Sequence, residues 1–189
     1  LPNILLGVSI FILFWFFGKL IQYAVNKILT GKNPNTNISR VISGITKNII
    51  VIFPMDDTFF RIALYIFRDI DDLVQSCEND LNIYYFIKDT YASKFAIKSG
   101  TFKGLITNKK DRIVNYSKLI SFISTKQFDL VIDLNTNYNL DCIRLVSFIP
   151  SKLKVGFKNS LFDNLYNIQF SMQGSGILEK GMRKMKEMI

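Results

Sequence analysis

From residue 48 onward, short runs of β-branched and aromatic residues alternate with longer stretches whose apolar residues recur at helical spacing. The predicted strands are 49–53, 82–87, 102–106, 128–134 and 152–157. Strands that alternate with helices pair in parallel and bury one sheet between two helical layers. The sequence therefore predicts an α/β fold with a Rossmann-like parallel sheet over residues 48–189.

The stretches between these strands predict the helices. They are 58–77, 91–97, 114–125 and 138–149, together with a C-terminal amphipathic helix at 177–189. The run 128–134 is the most apolar of the strands, so we expect it near the centre of the sheet. Ligands of such sheets bind at the carboxyl ends of the strands, which directs attention to the loops 54–58, 135–138 and 158–164.

Composition removes several classes of chemistry. The 189 residues contain no histidine, which excludes Ser-His-Asp and Cys-His catalysis and histidine-ligated zinc. The two cysteines have no partner at metal-binding spacing, and both are interpreted as small apolar residues. Basic residues outnumber acidic ones by 24 to 15 but form no stripe, so we expect no nucleic-acid partner.

The N-terminal segment is interpreted as a membrane anchor. No charged residue occurs before Lys19, and the apolar run is long enough to cross a bilayer, which predicts a transmembrane helix over 1–28. Residues 29–47 form a basic linker or amphipathic helix, and the first acid is Asp56, so the positive-inside rule puts the rest of the chain on the cytoplasmic side. A buried helix of a soluble protein and a signal peptide are the alternatives.

The first 53 residues also resemble a known membrane family. An apolar helix, the polar link GKNPNTN and the run ISRVISGITKNIIVIF occur in the same order as in the first transmembrane region of the small-conductance mechanosensitive channel family. The sequence beyond residue 53 lacks the pore helix and the β-rich vestibule of that family. A remnant of a channel subunit is therefore one alternative function.

The loop after the first strand, PMDDTFFR, holds the first candidate site. It has no glycine to let a phosphate approach the backbone, and two carboxylates would repel a pyrophosphate, so nucleotide binding is excluded here. Asp56 and Asp57 suit proton transfer from a hydroxyl or the binding of sugar hydroxyls. The alternative is that one of them only caps the next helix.

A second acidic run is interpreted as structural. Asp69 and Asp71 fall inside the predicted helix 58–77, where residues two apart point about 200° away from each other. They therefore cannot share a metal ion, and we assign them to a solvated helix face.

Residues 48–186 resemble the N-terminal half of glycosyltransferase family 9, the lipopolysaccharide heptosyltransferase group. The resemblance rests on NIIVIFPMDDTFFRIALYIFRDI and on FDLVIDLNTNYNLDCIRLVSFIPSKLKVGFKNSLFDNLYNIQF. It implies one half of a GT-B glycosyltransferase, the half that binds the acceptor. It also implies an inverting transfer without metal or other cofactor, with Asp57 as the base and Asp56 in the place of a family glycine. The nucleotide-sugar donor would bind a second half, which we expect to be missing from this chain or supplied separately.

If the resemblance holds, Asp56, Asn135, Asn137 and Arg144 contact the acceptor. The alternatives are turn chemistry for the two asparagines and an exposed helix surface for Arg144. The implied partners are a lipid-linked sugar acceptor, the donor and membrane lipid, at the cytoplasmic side of a bacterial inner membrane. A membrane-tethered binding module without catalysis is the remaining alternative.

Overall fold

A computed structural model describes residues 48–76, 81–137, 139–158, 164–171 and 177–189. The predicted membrane helix 1–28, the basic segment 29–47 and most of the channel-like region lie outside these residues. None of the helices in the described ranges is long and apolar enough to cross a membrane.

The described strands form one six-stranded, fully parallel sheet in the order β3-β2-β1-β4-β5-β6. The strands are β1 (Asn48–Ile52), β2 (Asn82–Lys88), β3 (Thr101–Leu105), β4 (Phe128–Asp133), β5 (Ser151–Phe157) and β6 (Ile168–Phe170). Ile52 pairs with Phe86 of β2 and with Asp133 of β4, so these three strands end close to the same level. The expected Rossmann-like parallel sheet is confirmed, with β1 and β4 at its centre.

The helices cover both faces of the sheet. They are α1 (Asp57–Phe67), α2 (Ile70–Ser76), a 3₁₀ helix (Asp89–Lys94), α3 (Tyr116–Ser124), α4 (Leu140–Phe148) and α5 (Ile177–Lys186). Alternate residues of β1 point into two separate cores: Val51 packs with α1 and α5, and Ile52 packs with α3 and α4. A strand can be this apolar on both faces because helices bury both faces of a parallel sheet.

Most predicted elements occur within a residue or two of their expected bounds, with three differences in kind. The helix predicted over 91–97 is a 3₁₀ helix over Asp89–Lys94. The helix predicted over 58–77 is two helices, since α1 ends at Phe67 and α2 begins at Ile70. The short strand β6 was not predicted. It pairs with β5 through Val155, Gly156 and Phe157 at the edge of the sheet.

The break between α1 and α2 changes the interpretation of the acidic run. Asp69 lies in the break and pairs with Lys186 of α5 at 2.6 Å. Asp71, in the first turn of α2, accepts backbone N–H groups from Lys98 at 3.0 Å and Ser99 at 2.7 Å. Each carboxylate therefore ties the helix pair to another segment, whereas the sequence predicted only a solvated face.

Candidate functional site

The candidate site lies where β1 and β4 end. The chain leaves β1 through Pro54 and Met55 and enters α1, and it leaves β4 through Leu134 and Asn135. The Oδ1 atom of Asn135 accepts the N–H of Met55 at 3.1 Å, which joins the two connections. On the other side, the Tyr91 hydroxyl donates to the carbonyl oxygen of Met55 at 3.1 Å. The backbone before α1 is therefore held from both sides.

A cleft of about 190 Å³ opens between these connections. Its wall from the β1–α1 connection is formed by Pro54, Met55, Asp56 and Phe59. Its other wall is polar and comes from two further connections, with Asp111 after β3 and Asn135, Thr136, Asn137 and Asn139 after β4. No described residue that lines the cleft is a lysine or an arginine.

Asp56 lines the cleft and also caps α1. Its Oδ1 atom accepts the N–H groups of Thr58 at 2.9 Å and Phe59 at 3.2 Å. Aspartate in this position satisfies backbone donors that a helix leaves unpaired at its start. Asp56 is therefore the aspartate that caps the helix. Its carboxylate is exposed and also borders the cleft.

Asp57 is placed differently. It lies in the first turn of α1, where its carboxylate pairs with Lys94 at 2.8 Å and with Arg61 at 2.6 Å, and it does not line the cleft. The hydrogen bond from Lys94, with a smaller effect from that of Arg61, lowers the pKa of Asp57 below its ordinary value, although partial desolvation opposes the shift. A lowered pKa makes this carboxylate a weaker proton acceptor in the arrangement seen here.

The other predicted contacts separate into two groups. Asn135 and Asn137 both line the cleft, and Asn135 also makes the cross-link to Met55. Arg144 lies on the exposed side of α4, with its guanidinium 5.4 Å from the centre of the Tyr116 ring. The structure thus brings Asp56, Asn135 and Asn137 together and leaves Asp57 and Arg144 outside the cleft.

Beneath Asn135 lies a buried carboxylate that sequence reasoning did not single out. Asp133, the last residue of β4, is 1% exposed. Its Oδ1 accepts from the backbone N–H of Asn135 at 3.0 Å and from the Asn135 side chain at 2.7 Å. Its Oδ2 accepts the Tyr166 hydroxyl at 2.6 Å. Burial raises the pKa of Asp133, and the hydrogen bonds from Tyr166 and Asn135 oppose that shift.

Tyr166 can reach Asp133 because Gly156 lies under its ring. A Cβ atom at position 156 would come within 2.6 Å of the ring carbon Cε1. Gly156 lies in a predicted strand and Tyr166 follows it in the sequence, but nothing in the sequence alone joins either of them to Asp133.

Asp111 was also missed. It belongs to the loop after β3, where an antiparallel bridge joins Thr107 to Ile113. Its φ of 54° is in the left-handed region, which Asp adopts more readily than most residues. Lys88, at the end of β2, pairs with the Asp111 carboxylate at 2.7 Å.

The far end of this loop is fastened to the start of α4. The Oδ2 atom of Asp141 accepts from Nε of Arg112 and from the backbone N–H of Ile113, at 2.7 and 2.8 Å. The hydrogen bond from Arg112 is the main cause of a lowered pKa at Asp141. The loop is therefore fixed at both Lys88 and Asp141.

A smaller cavity of about 20 Å³ adjoins the cleft, with Asp133, Thr136 and Tyr166 among its lining residues. The Oγ1 atom of Thr136 is buried and has no hydrogen-bond partner among the described residues. Buried hydroxyls are nearly always satisfied in folded proteins, so this atom marks a point where a bound polar group would be stabilised.

Among the described residues, Cys142 and the acidic side chains are further candidates for reactive groups or metal ligands. Burial raises the pKa of Cys142 well above its ordinary value, so this thiol is a poor nucleophile. In the ranges that the structure describes, no three Cys, Asp or Glu side chains cluster closely enough to hold a metal ion.

Comparison with known proteins finds a solved structure of similar fold. One solved structure that matches is "The crystal structure of the glycosyl transferase family 9 from Veillonella parvula DSM 2008". The match has a TM-score of 0.53 and 15% sequence identity, and it covers 75% of this chain and 41% of that one. The likeness is one of fold. The chain spans about two fifths of that protein's length.

The other comparisons are negative. No family model matches the sequence. No curated protein matches it either. The resemblance of residues 1–53 to mechanosensitive channels finds no support in these comparisons.

Proposed function

We propose that this chain is the acceptor-binding half of a membrane-anchored glycosyltransferase of heptosyltransferase type. The observation that carries the proposal is the cleft at the ends of β1 and β4, which is lined by carboxylates and amides and by no described cation. These groups exchange hydrogen bonds with sugar hydroxyls, and they lie where ligands bind in sheets of this kind. The shared fold with a glycosyltransferase family 9 structure supports the same interpretation.

In the proposed reaction, the acceptor hydroxyl attacks the anomeric carbon of a nucleotide sugar. The new glycosidic bond forms as the bond to the nucleotide diphosphate breaks, and the hydroxyl proton passes to a carboxylate. A positioned base of this kind contributes about 10² to 10⁴ in rate. The donor would be held by a separate domain, with inversion at the anomeric carbon.

The proposed catalytic base is one of the two aspartates that follow β1, Asp56 or Asp57. The family resemblance favours Asp57, whose pairs with Lys94 and Arg61 would have to open before it accepts a proton. Asp56 already borders the cleft. Replacement of each by asparagine distinguishes them, since Asn also caps helices well and Asp56→Asn therefore preserves the start of α1.

The membrane setting is proposed from the sequence. An apolar helix over 1–28 with a basic segment behind it would hold the cleft at the cytoplasmic face of a bacterial inner membrane. A lipid-linked acceptor of lipopolysaccharide type would be presented there.

A second candidate function is a tethered module that binds sugar without transferring it. The observation that favours it is the capture of Asp57 by two cations, together with its lowered pKa. Such a module needs the cleft but no base.

The first test is calorimetric titration of the full chain in nanodiscs with a lipid A-core acceptor and, separately, with ADP-heptose. The proposal predicts that the acceptor binds and the donor does not. Asp56→Asn is expected to weaken acceptor binding, and the matched control Asp72→Asn, on the exposed side of α2, is expected to leave it unchanged.

Donor binding by this chain would show that the halves are wrongly assigned. Absence of binding to both ligands would overturn the proposal. If the acceptor binds, a donor-binding domain is added together with ADP-heptose. Transfer of the sugar to the acceptor would then support the transferase, and its absence would support the tethered module.

A further inference from the structure

We propose that the cleft accepts an uncharged sugar residue and disfavours phosphorylated or carboxylated ones, with Asp111 as a specificity-determining side chain. This inference rests on the proposed sugar-binding function of the same cleft, and it names the class of sugar that enters. The resemblance to glycosyltransferases assigns no role to position 111.

The first argument is the charge of the lining. Asp56 and Asp111 are its charged members, and the remaining polar groups are three asparagines and Thr136. Carboxylates accept hydrogen bonds from hydroxyls, and amides both donate and accept. A phosphate or carboxylate on the sugar would meet the carboxylate of Asp56 and that of Asp111, which is paired with Lys88, and would find no lysine or arginine among the described lining residues.

Three cations close to these acids are already engaged, and a further one, Lys158, borders the adjoining smaller cavity rather than the cleft itself. Lys88, whose side chain is only 14% exposed, pairs with Asp111. Lys94 and Arg61 pair with Asp57, outside the cleft.

The second argument is that the two carboxylates approach from different faces of the sheet. Asp56 begins α1, which packs on the face that contains Val51. The loop of Asp111 leads through Ile113 into the core on the opposite face, the one that contains Ile52. A sugar ring carries hydroxyls around its whole edge, so acceptors on two sides can bind hydroxyls at different ring positions.

The third argument is that the position of Asp111 is fixed. Its backbone N–H donates to the carbonyl oxygen of Asn108 at 3.0 Å, and its carboxylate is held by Lys88. Beyond it, Asp141 holds both Arg112 and Ile113. A carboxylate that is already held in place discriminates between ligands better than one that can turn away. Little further side-chain entropy is lost when the ligand binds.

The test is saturation-transfer NMR on the full chain in nanodiscs with a panel of free sugars. The neutral probes are glucose, galactose, mannose and glycero-manno-heptose. The charged probes are the 6-phosphates of the three hexoses, together with glucuronic acid. The wild-type chain is expected to bind at least one neutral sugar, and to bind its charged counterpart at least tenfold more weakly.

The decisive variant is Asp111→Asn. Asparagine adopts the left-handed region readily, so the loop keeps its backbone while the charge is lost. We expect the preference for the neutral sugar to narrow by about two- to fivefold, because the Asp111 side chain is 64% exposed and water screens its charge. Asp72→Asn removes an exposed acid elsewhere and should leave the preference unchanged.

The double variant Lys88→Met/Asp111→Asn controls for the lysine that Asp111→Asn releases. If the preference narrows in both variants, the carboxylate sets it. If the double variant regains the full preference, the freed Lys88 ammonium was attracting the anion and the inference about Asp111 is wrong.

Two further results are separable. Equal binding of neutral and charged sugars by the wild-type chain would overturn this inference and leave the sugar-binding function standing. Failure of every probe to bind would overturn both.

Discussion

Replacement of Tyr166 by phenylalanine tests the buried network that supports the cleft. The change removes one hydroxyl, which donates to Oδ2 of Asp133 at 2.6 Å, and leaves that oxygen without a partner among the described residues. Leaving a buried acceptor without its hydrogen-bond donor costs about 1–3 kcal/mol, and more when the acceptor is charged. Asp133 is 1% exposed, and the cavity of about 20 Å³ beside it has room for about one water that could replace the lost donor. We expect Tyr166→Phe to lower the free energy of unfolding by about 2–3 kcal/mol at pH 7.

The pH dependence makes this prediction sharper. Burial raises the folded-state pKa of Asp133 above its ordinary value of 3.8, so its ionisation costs stability as the pH rises from 3.8 through the folded pKa. Tyr166 reduces this cost, since its hydrogen bond favours the charged form. As the pH falls below 3.8 the carboxyl becomes neutral in both states, and the cost of Tyr166→Phe should fall towards about 1 kcal/mol, the value of an ordinary hydrogen bond.

The assay is urea denaturation monitored by circular dichroism at pH 7 and at pH 3.5. Tyr65→Phe, at a tyrosine that is 56% exposed, is the matched control and should change stability by less than about 0.5 kcal/mol. The double variant Tyr166→Phe/Asp133→Asn completes a cycle that isolates the coupling between the two side chains. A cost below about 0.5 kcal/mol at pH 7 would refute the reasoning.

Three other changes test further contacts of the same structure. Gly156→Ala would place a Cβ 2.6 Å from the Tyr166 ring, so we expect a loss of about 1–3 kcal/mol in urea denaturation, which should largely disappear in a Tyr166→Ala background. Met185→Ala removes a fully buried side chain of α5 and should cost about 2–5 kcal/mol in the same assay, whereas Lys184→Ala on the exposed face should be nearly neutral; equal effects would mean that α5 does not pack as described. Asp141→Asn should destabilise the chain at pH 7, because the pKa of Asp141 is lowered in the folded state and its ionised form contributes stability. That contribution is lost as the pH falls below 3.8 through the folded pKa, so thermal melts of variant and wild type should converge in acid; a constant difference would contradict the pairing with Arg112.

The alternation of strands and helices was predictable because each central strand is apolar on both faces. Runs such as 49–53 and 128–134 are apolar at successive positions, which is typical of strands in a parallel sheet whose two faces are both covered by helices. The edge strand β6 was missed because it is three residues long and only partly buried, so pairing with β5 determines it more than its own sequence does. The division between α1 and α2 was missed for a similar reason, since helical periodicity continues across Arg68 and Asp69 while Asp69 pairs with the distant Lys186.

The site was predictable in part. The ends of β1 and β4 lie side by side in the sheet, and the cleft residues Asp56, Asn135 and Asn137 belong to the connections that follow these strands. Their place in the sequence was therefore enough to predict them. Asp111 and Tyr166 reach the site from connections whose path depends on tertiary contacts, with Lys88 for the first and Gly156 for the second. Which of two neighbouring aspartates faces the cleft also depends on the start of α1, which the sequence leaves open by one residue.

The most direct test of the account is hydrogen exchange measured by mass spectrometry on the full chain, with and without a bound neutral sugar. The account predicts protection in the connections after β1, β3 and β4 that carry Asp56, Asp111 and Asn135, because these border the cleft. Protection confined to the broad depression between α3 and the end of α4, where Ile120 and Phe148 lie, would contradict it.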